Sequence, residues 1–388
     1  MNYSFDEIID RGGTACVKWD LRDKVFGNPD VLPMWVADMD FKTPDFITNA
    51  VIQRASHPVY GYSYRTEGYY TSIINWMKSH HGWTIERDWI SFSPGVVPVL
   101  YMATLAFTEP GDKVLIQTPV YPPFFDAVQK NNRQLVFNPL ILKNNRYEID
   151  FEDLDQKLPE VKMMIISNPH NPVGRVWTKD ELLEIGRLCL KHKVLLISDE
   201  IHCDLVFNAY KHIPTASLSP AISDNTITCI ASSKTFNTAG LSTSNVVTSN
   251  KVLQEKLDKV IQSVHIDSGN LFGSIASEAA YTHGEEWHKL LIGYLESSVN
   301  VIRTFLTEKL PAIKLIEPEG TYLLWLDFRE VGMSQPDLVS FLIHKARLGL
   351  NDGTAFGTDG TGFMRINIGC PKSMLLEGLH RLEAALNK

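Results

Sequence analysis

The chain has 388 residues, 44% of them hydrophobic, and a formal net charge of −8. That composition suits a globular protein with a large core and two or three structural units. It carries no basic cluster of the kind that binds nucleic acid, and no apolar stretch approaches the ~20 residues of a membrane span. The first ten residues contain three acids (Asp6, Glu7, Asp10) and no base, unlike a signal or transit peptide, so a cytoplasmic location is expected. Five cysteines (Cys16, Cys189, Cys203, Cys229, Cys370) form no Cys-x-x-Cys pair, which fits a reducing compartment and argues against a zinc site or a disulfide framework. Cys203 reads as a small apolar filler.

Residues 1–30 lack a hydrophobic period and read as an arm crossing other structure. Residues 32–41 (Leu-Pro-Met-Trp-Val-Ala-Asp-Met-Asp-Phe) are apolar with two embedded aspartates, and suit either core or the lining of a cleft. Helices are predicted over 44–54 and 70–80. Between them, Val59-Tyr60-Gly61-Tyr62-Ser63-Tyr64 is an aromatic loop whose rings either pack on a neighbour or present a hydroxyl to a ligand. Residues 90–97 followed by 100–107 read as strand, glycine turn and helix. That geometry aims free N–H groups at whatever lies above Gly95, Val96 and Val97, a plausible anion cradle. It lacks the Gly-Lys-Ser/Thr spacing of a Walker loop.

From here strands and helices alternate. Strands are predicted over 113–117, 135–142, 161–167, 193–197, 226–230 and 245–248, with helices at 122–130 and after Thr178, where Glu181 completes a capping box. Short apolar strands separated by helices imply a mostly parallel sheet covered on both faces. Ligands of such sheets bind at the carboxyl ends of strands. Asn171, Asp199 and Lys234 each follow such an end. Past residue 282 the character changes to a long helix over 285–310, strands over 314–317, 322–327 and 364–368, and helices over 335–345 and 372–386. The expected division is a large domain over 45–285 and a smaller one over 286–388 that also receives the arm, 1–44. His80-His81, His192 and His344 have no partners at metal-ligand spacing, so no metal is expected. Gly357 to Gly362 precedes a strand and reads as a turn.

A buried lysine has a depressed pKa and can form a Schiff base with a carbonyl. A buried lysine, a buried aspartate, an asparagine, a phosphate cradle and a flat aromatic together suit pyridoxal 5'-phosphate. Lys234 would hold it and act as base at the substrate Cα, and Asp199 would pair with the pyridine nitrogen. Asn171 would bond the phenolic oxygen, and Tyr121 would stack on the ring. Gly95, Val96, Val97 and Ser233 would hold the phosphate. In order along the chain come Asn168-Pro169-x-Asn171-Pro172-x-Gly174, Ser198-Asp199-Glu200-Ile201-His202 and Ser233-Lys234 before Ala239-Gly240. The sequence resembles the aspartate-aminotransferase fold, type I of the pyridoxal-phosphate enzymes. Residues 32–41, Asp199-Glu200-Ile201-His202 and Ser233-Lys234-Thr235-Phe236-Asn237 are similar to its cystathionine β-lyase, or C–S lyase, branch.

The resemblance implies an α/β fold with a mostly parallel seven-stranded-type sheet, and a homodimer with its active site at the subunit interface. The implied activity is α,β-elimination on L-cystathionine and related S-substituted amino acids. It further implies Arg365 as the clamp for the substrate carboxylate, Ala37 on the substrate side, His202 near the ring oxygen, and Tyr62, with Tyr60 as rival, reaching the partner subunit's phosphate. Three positions depart from the aminotransferase pattern: Ser242 where an arginine is usual, Ala231 where serine is frequent, and His202 where tyrosine is frequent. They fit the lyase branch better than a true aminotransferase, which is the alternative.

Overall fold

The computed structural model describes residues 3–387. At its centre is a seven-stranded sheet made of β1 (Ile90–Ser93), β2 (Lys113–Ile116), β3 (Gln134–Phe137), β4 (Met163–Ser167), β5 (Leu195–Asp199), β6 (Thr226–Ile230) and β7 (Ser244–Val247). The spatial order is β1-β7-β6-β5-β4-β2-β3. β3, β2, β4, β5 and β6 run parallel, and β7 is antiparallel to both neighbours. β4 and β6 are buried along their whole length, which is why they read as unbroken apolar runs rather than alternating ones. Register brings Ser167, Asp199 and Cys229 side by side. The segments that follow them therefore emerge along one edge of the sheet.

Helices α1 (Asp45–Ala55), α2 (Glu67–His81), α3 (Val96–Phe107), α4 (Lys179–His192), α5 (Leu271–His283), α6 (Glu285–Lys309) and α7 (Lys372–Leu386) supply most of the covering layers. α4 starts with the expected capping box, in which Thr178 accepts from the Glu181 amide while Glu181 reaches back to the Thr178 amide. No helix among the described residues is long and apolar enough to cross a membrane. A second, antiparallel sheet contains β8 (Lys314–Leu315), β9 (Leu323–Asp327), β10 (Asn351–Asp352) and β11 (Phe363–Asn367), in the order β8-β9-β11-β10.

The arm is less irregular than expected. It holds two short helices, Val17–Asp20 and Arg22–Phe26, and then a two-residue strand, Leu32–Pro33, that pairs in parallel with Leu348–Gly349. Phe5 and Phe41 stack edge-on at 5.1 Å, and Phe5 packs on Trp287 of α6 at 5.6 Å. The strand expected over 135–142 is two strands. The Asn138 and Leu140 backbone N–H groups still donate to Ile116 O and Thr118 O, so Pro139, between them, lacks an N–H only on the open side of this edge strand, and Asn138 Nδ2 bonds Asp150 O and Asp153 Oδ2. Ile141–Lys143 then leaves the sheet and pairs with Arg146–Glu148 across Asn144 and Asn145, both at positive φ. The helix expected from residue 100 begins at Val96, because Pro98 sits in its first turn, where a missing N–H costs nothing.

One buried ion pair ties the two sheets together near Asn171. Glu319 accepts from Arg175 Nε at 3.0 Å, from the Val176 amide at 2.7 Å and from Arg146 Nε at 2.8 Å. Its own amide donates to Gly174 O. Gly174 is at φ +73°, and a Cβ there would press on Pro318. Arg175 keeps its pair with Glu181, so Glu319→Ala leaves the buried Arg175 Nε and Val176 N–H without an acceptor and should cost about 3 kcal/mol, read as a lower denaturant midpoint with an unchanged slope.

Candidate active site

The edge where β4, β5 and β6 end opens onto a cavity of about 170 Å³. Asp199 and Lys234 line it together, as do Asn171, His202, Tyr121 and Ala37. Gly95, Val96, Val97 and Ser233 form one end of the same cavity. Larger clefts, of about 600, 900, 830 and 640 Å³, contain neither Asp199 nor Lys234; the last of them is lined by the arm residues Asp38 to Phe41 and by Asn237.

Asp199 is the last residue of β5, and its carboxylate accepts from the Ile201 amide at 3.1 Å. Burial pushes its pKa up to about 7, while that hydrogen bond and the charge of Lys234 act in the opposite sense. Lys234 lies in the turn after β6, and its Nζ donates to Ala37 O at 2.7 Å. Burial pushes the amine down to about 8, against the attraction of Asp38; Arg365 adds to the lowering and Asp199 opposes it. His202 is also buried and pushed down to about 3, so its ring is neutral and its Nδ1 has no partner among the described residues. Burial raises the Tyr121 hydroxyl above its ordinary value.

Arg365 comes from β11 and does not itself line the cavity; it is joined to it through Asn171. Its Nη1 donates to Asn171 Oδ1 at 3.0 Å, and its Nη2 donates to Trp35 O and Asn351 Oδ1 at 2.9 and 2.6 Å. Its Nε is buried without a partner among the described residues, and the guanidinium lies over Phe356 at 4.9 Å. Burial lowers its pKa to about 10, which leaves it charged at neutral pH. Tyr62 is fully exposed, and Tyr60 is turned back to donate to Ala55 O at 2.6 Å. Neither lines the cavity of its own chain.

Several neighbours had no contact assigned to them from the sequence. Tyr322 is buried and donates its hydroxyl to Ala37 O at 3.0 Å. Asn351 and the Trp35 carbonyl hold Arg365, and Asn237 binds the arm. These contacts join residues 198 or more positions apart in several cases, as with Asn237 and Met39, and no local spacing announces them. Ser242, at φ +45°, also lines the cavity.

The expectation that His81 has no partner at metal-ligand spacing is corrected. Its Nε2 meets Asp204 Oδ1 at 2.8 Å, and His81, Cys203 and Asp204 bring ligand-type atoms within 4.8 Å of one another. Hydrogen bonds account for this cluster. Asp204 Oδ1 also accepts from Trp76 Nε1 at 2.8 Å, and Oδ2 accepts from Thr235 Oγ1 at 2.7 Å, beside Lys234. Those donors hold the buried carboxylate well below its ordinary pKa. Cys203 is buried against the same group, and burial raises its thiol well above its ordinary value.

The family model for aminotransferase class I and II matches residues 29–382. The chain belongs to that family. Within the family it is 45% identical over 386 residues to cystathionine β-lyase PatB of Bacillus subtilis (strain 168), covering 99% of this chain and 100% of that protein. Among solved structures, cystalysin from Treponema denticola, which contains a pyridoxal 5'-phosphate cofactor, superposes with a TM-score of 0.95 at 39% identity over 100% of this chain and 99% of that one. The pyridoxal-phosphate-bound C–S lyase from Staphylococcus hominis gives 0.93 at 36% identity over the same shares.

The residues present fit pyridoxal phosphate. The N-terminus of α3 has no side-chain cap, so its first-turn N–H groups are available to an anion, with Ser233 beside them. The cavity also contains a carboxylate that burial has pushed up and a lysine amine that burial has pushed down, each lacking a full counter-charge of its own.

Proposed function

We propose that this chain is a pyridoxal-phosphate-dependent carbon–sulfur β-lyase, eliminating a thiol from L-cystathionine and cysteine S-conjugates to leave pyruvate and ammonia. The observation that carries the reading is the shared cavity: a low-pKa lysine and a buried aspartate line one pocket that begins at an uncapped helix N-terminus. The full-length similarity to a cystathionine β-lyase supports the choice of elimination.

When bound, the cofactor supplies the electron sink that makes the substrate Cα proton acidic. Everything else falls to the chain. Gly95, Val96, Val97 and Ser233 would hold the phosphate, and Asp199 would keep the ring nitrogen protonated. Asn171, the neutral His202 and Tyr121 would hold the ring. Arg365 presents a planar fork to the α-carboxylate. Lys234, with a pKa near 8, is partly neutral at physiological pH and takes the Cα proton at Nζ. The Cβ–S bond then breaks with its electron pair on sulfur, and the proton on Lys234 is available to the departing thiolate. Water hydrolyses the released three-carbon fragment.

Arg365→Lys retains the charge and loses the fork. Its KM for the amino-acid substrate should rise about tenfold or more, since hydrogen bonds between charged groups contribute about 1.5–3 kcal/mol. Steady-state kinetics on the variant measure it.

The reading extends to assembly and place. The exposed loop carrying Tyr60, Tyr62 and Tyr64 would meet a second copy of the chain, making a homodimer in which Tyr62 completes the partner's phosphate site. A boundary near residue 285, between α5 and α6, would separate a large domain from a smaller one that includes the arm. Four of the five cysteines are buried and all are free, as suits a cytoplasmic protein. The deciding experiment measures pyruvate release from cystathionine, cystine, cysteine and an S-alkyl cysteine, with and without a 2-oxo acid. Release without the oxo acid is expected; activity that requires the oxo acid would establish an aminotransferase instead.

A further inference from the structure

The turn that bears Lys234 is joined to the arm chiefly by the side chain of Asn237. Asn237 lies three residues after the lysine at φ +57°, a left-handed conformation that asparagine tolerates. Its Nδ2 donates to Met39 O and to Phe41 O, both at 2.9 Å. Its Oδ1 accepts the Met39 amide at 3.0 Å. A carboxamide offers donor and acceptor together, so it engages an extended backbone much as a neighbouring strand does. The Thr43 hydroxyl adds a bond to Asn237 O at 3.2 Å.

Two residues before Met39, the Ala37 carbonyl receives Lys234 Nζ at 2.7 Å and the Tyr322 hydroxyl at 3.0 Å. On either side of Ala37 the arm is held again, with Asn367 Nδ2 donating to Val36 O and Asp38 O at 2.5 and 2.6 Å. The oxygen that meets the lysine is therefore fixed through the backbone on both sides and by a hydroxyl on the atom itself. The arm segment and the Ser233-to-Asn237 segment, conspicuous separately in the sequence, are bound to each other here.

We propose that Asn237 and Tyr322 are positioning residues for the lysine: together they set the Ala37 carbonyl as the seat on which the Lys234 amine rests whenever it is not covalently engaged. This rests on the lyase reading above. A lysine freed by substrate has four side-chain torsions to explore, and a fixed acceptor keeps its nitrogen next to the reacting carbon. Because a carbonyl only accepts, it orients the amine through an N–H and leaves the nitrogen lone pair for the proton.

Two variants test this. Asn237→Gly removes the clamp while retaining the backbone conformation, and Tyr322→Phe removes one hydroxyl from a buried ring. For each, the rate at which the cofactor-free protein takes up pyridoxal phosphate is followed by the growth of visible absorbance. The kcat and KM for an S-alkyl cysteine and the melting temperature are measured alongside. Asn237→Gly should slow uptake and lower kcat by about tenfold with KM changed less than about threefold, as expected when a reacting group is misplaced rather than a binding group lost. Tyr322→Phe should move both rates in the same direction. A lower melting temperature with both rates within about twofold of wild type would make the clamp purely structural and overturn the proposal. If Asn237→Gly does not fold, Tyr322→Phe decides alone by the same criterion. If the wild type releases no pyruvate, the lyase reading fails, and the uptake rates of the cofactor-free proteins still decide the clamp.

Discussion

Lys234→Ala should abolish the visible absorbance of the purified holoenzyme and lower pyruvate release by at least about 10³-fold, within the range that general acid–base groups contribute. The side chain has two functions, and alanine removes both. It is the amine in the cavity that can bond an aldehyde carbon, and it is the base whose pKa burial has brought to about 8. Lys234→Arg should fare no better, because a guanidinium stays protonated and cannot bond the aldehyde. Partial recovery of Lys234→Ala by a small primary amine in the buffer would separate the base function from the tethering one. A Lys234→Ala variant that retained pyruvate release within about tenfold of wild type would remove the lysine from the mechanism.

Asp199→Asn is the second large effect, and it has opposite signs in the two states of the protein. With cofactor, the variant loses the buried carboxylate that secures the ring nitrogen's proton. Truncating one member of a buried charge pair costs several kcal/mol, so affinity for pyridoxal phosphate should fall about 10²-fold or more. Without cofactor, the carboxylate has no such partner. Burial raises its folded pKa to about 7, above the ordinary carboxylate range. The stability it contributes is complete below that range and is lost as pH rises through the folded value. The cofactor-free variant should therefore melt above the cofactor-free wild type at about pH 8, with the gap closing toward about pH 4. Identical melting curves at both pH values would mean that Asp199 is not burdened by burial.

The sheet was legible in the sequence because its strands are short, apolar and separated by helices, and the polar residues at their ends stood out against that background. Asn171, Asp199 and Lys234 were visible for this reason, and the structure brings them to one cavity. The anion cradle was visible as a glycine turn, although Pro98 hid the true start of its helix. Arg365 became visible only through resemblance. Its holders Asn351 and Trp35 come from a short edge strand and from the arm, and the Trp35 contact spans 330 positions. Tyr322 read as one more apolar strand residue, since nothing local distinguishes a core tyrosine from one whose hydroxyl meets a functional carbonyl. The strand expected over 135–142 divides because residues 141–143 leave the sheet for a hairpin that Asn144 and Asn145 turn at positive φ, a change that a continuous apolar pattern does not show.

The buried carboxylate of Asp204 has a consequence for how the molecule comes apart. It bonds Trp76 and His81 at the end of α2 with one oxygen and Thr235 with the other. The helix end and the residue next to the lysine thus share a single hub, and neither can loosen without stranding a desolvated anion. Local opening of α2 and of the turn that bears the lysine should therefore be one event, with amides of both segments exchanging with solvent deuterium at a common rate. A breathing motion at the far end of that helix would switch the enzyme off before the sheet had begun to unfold.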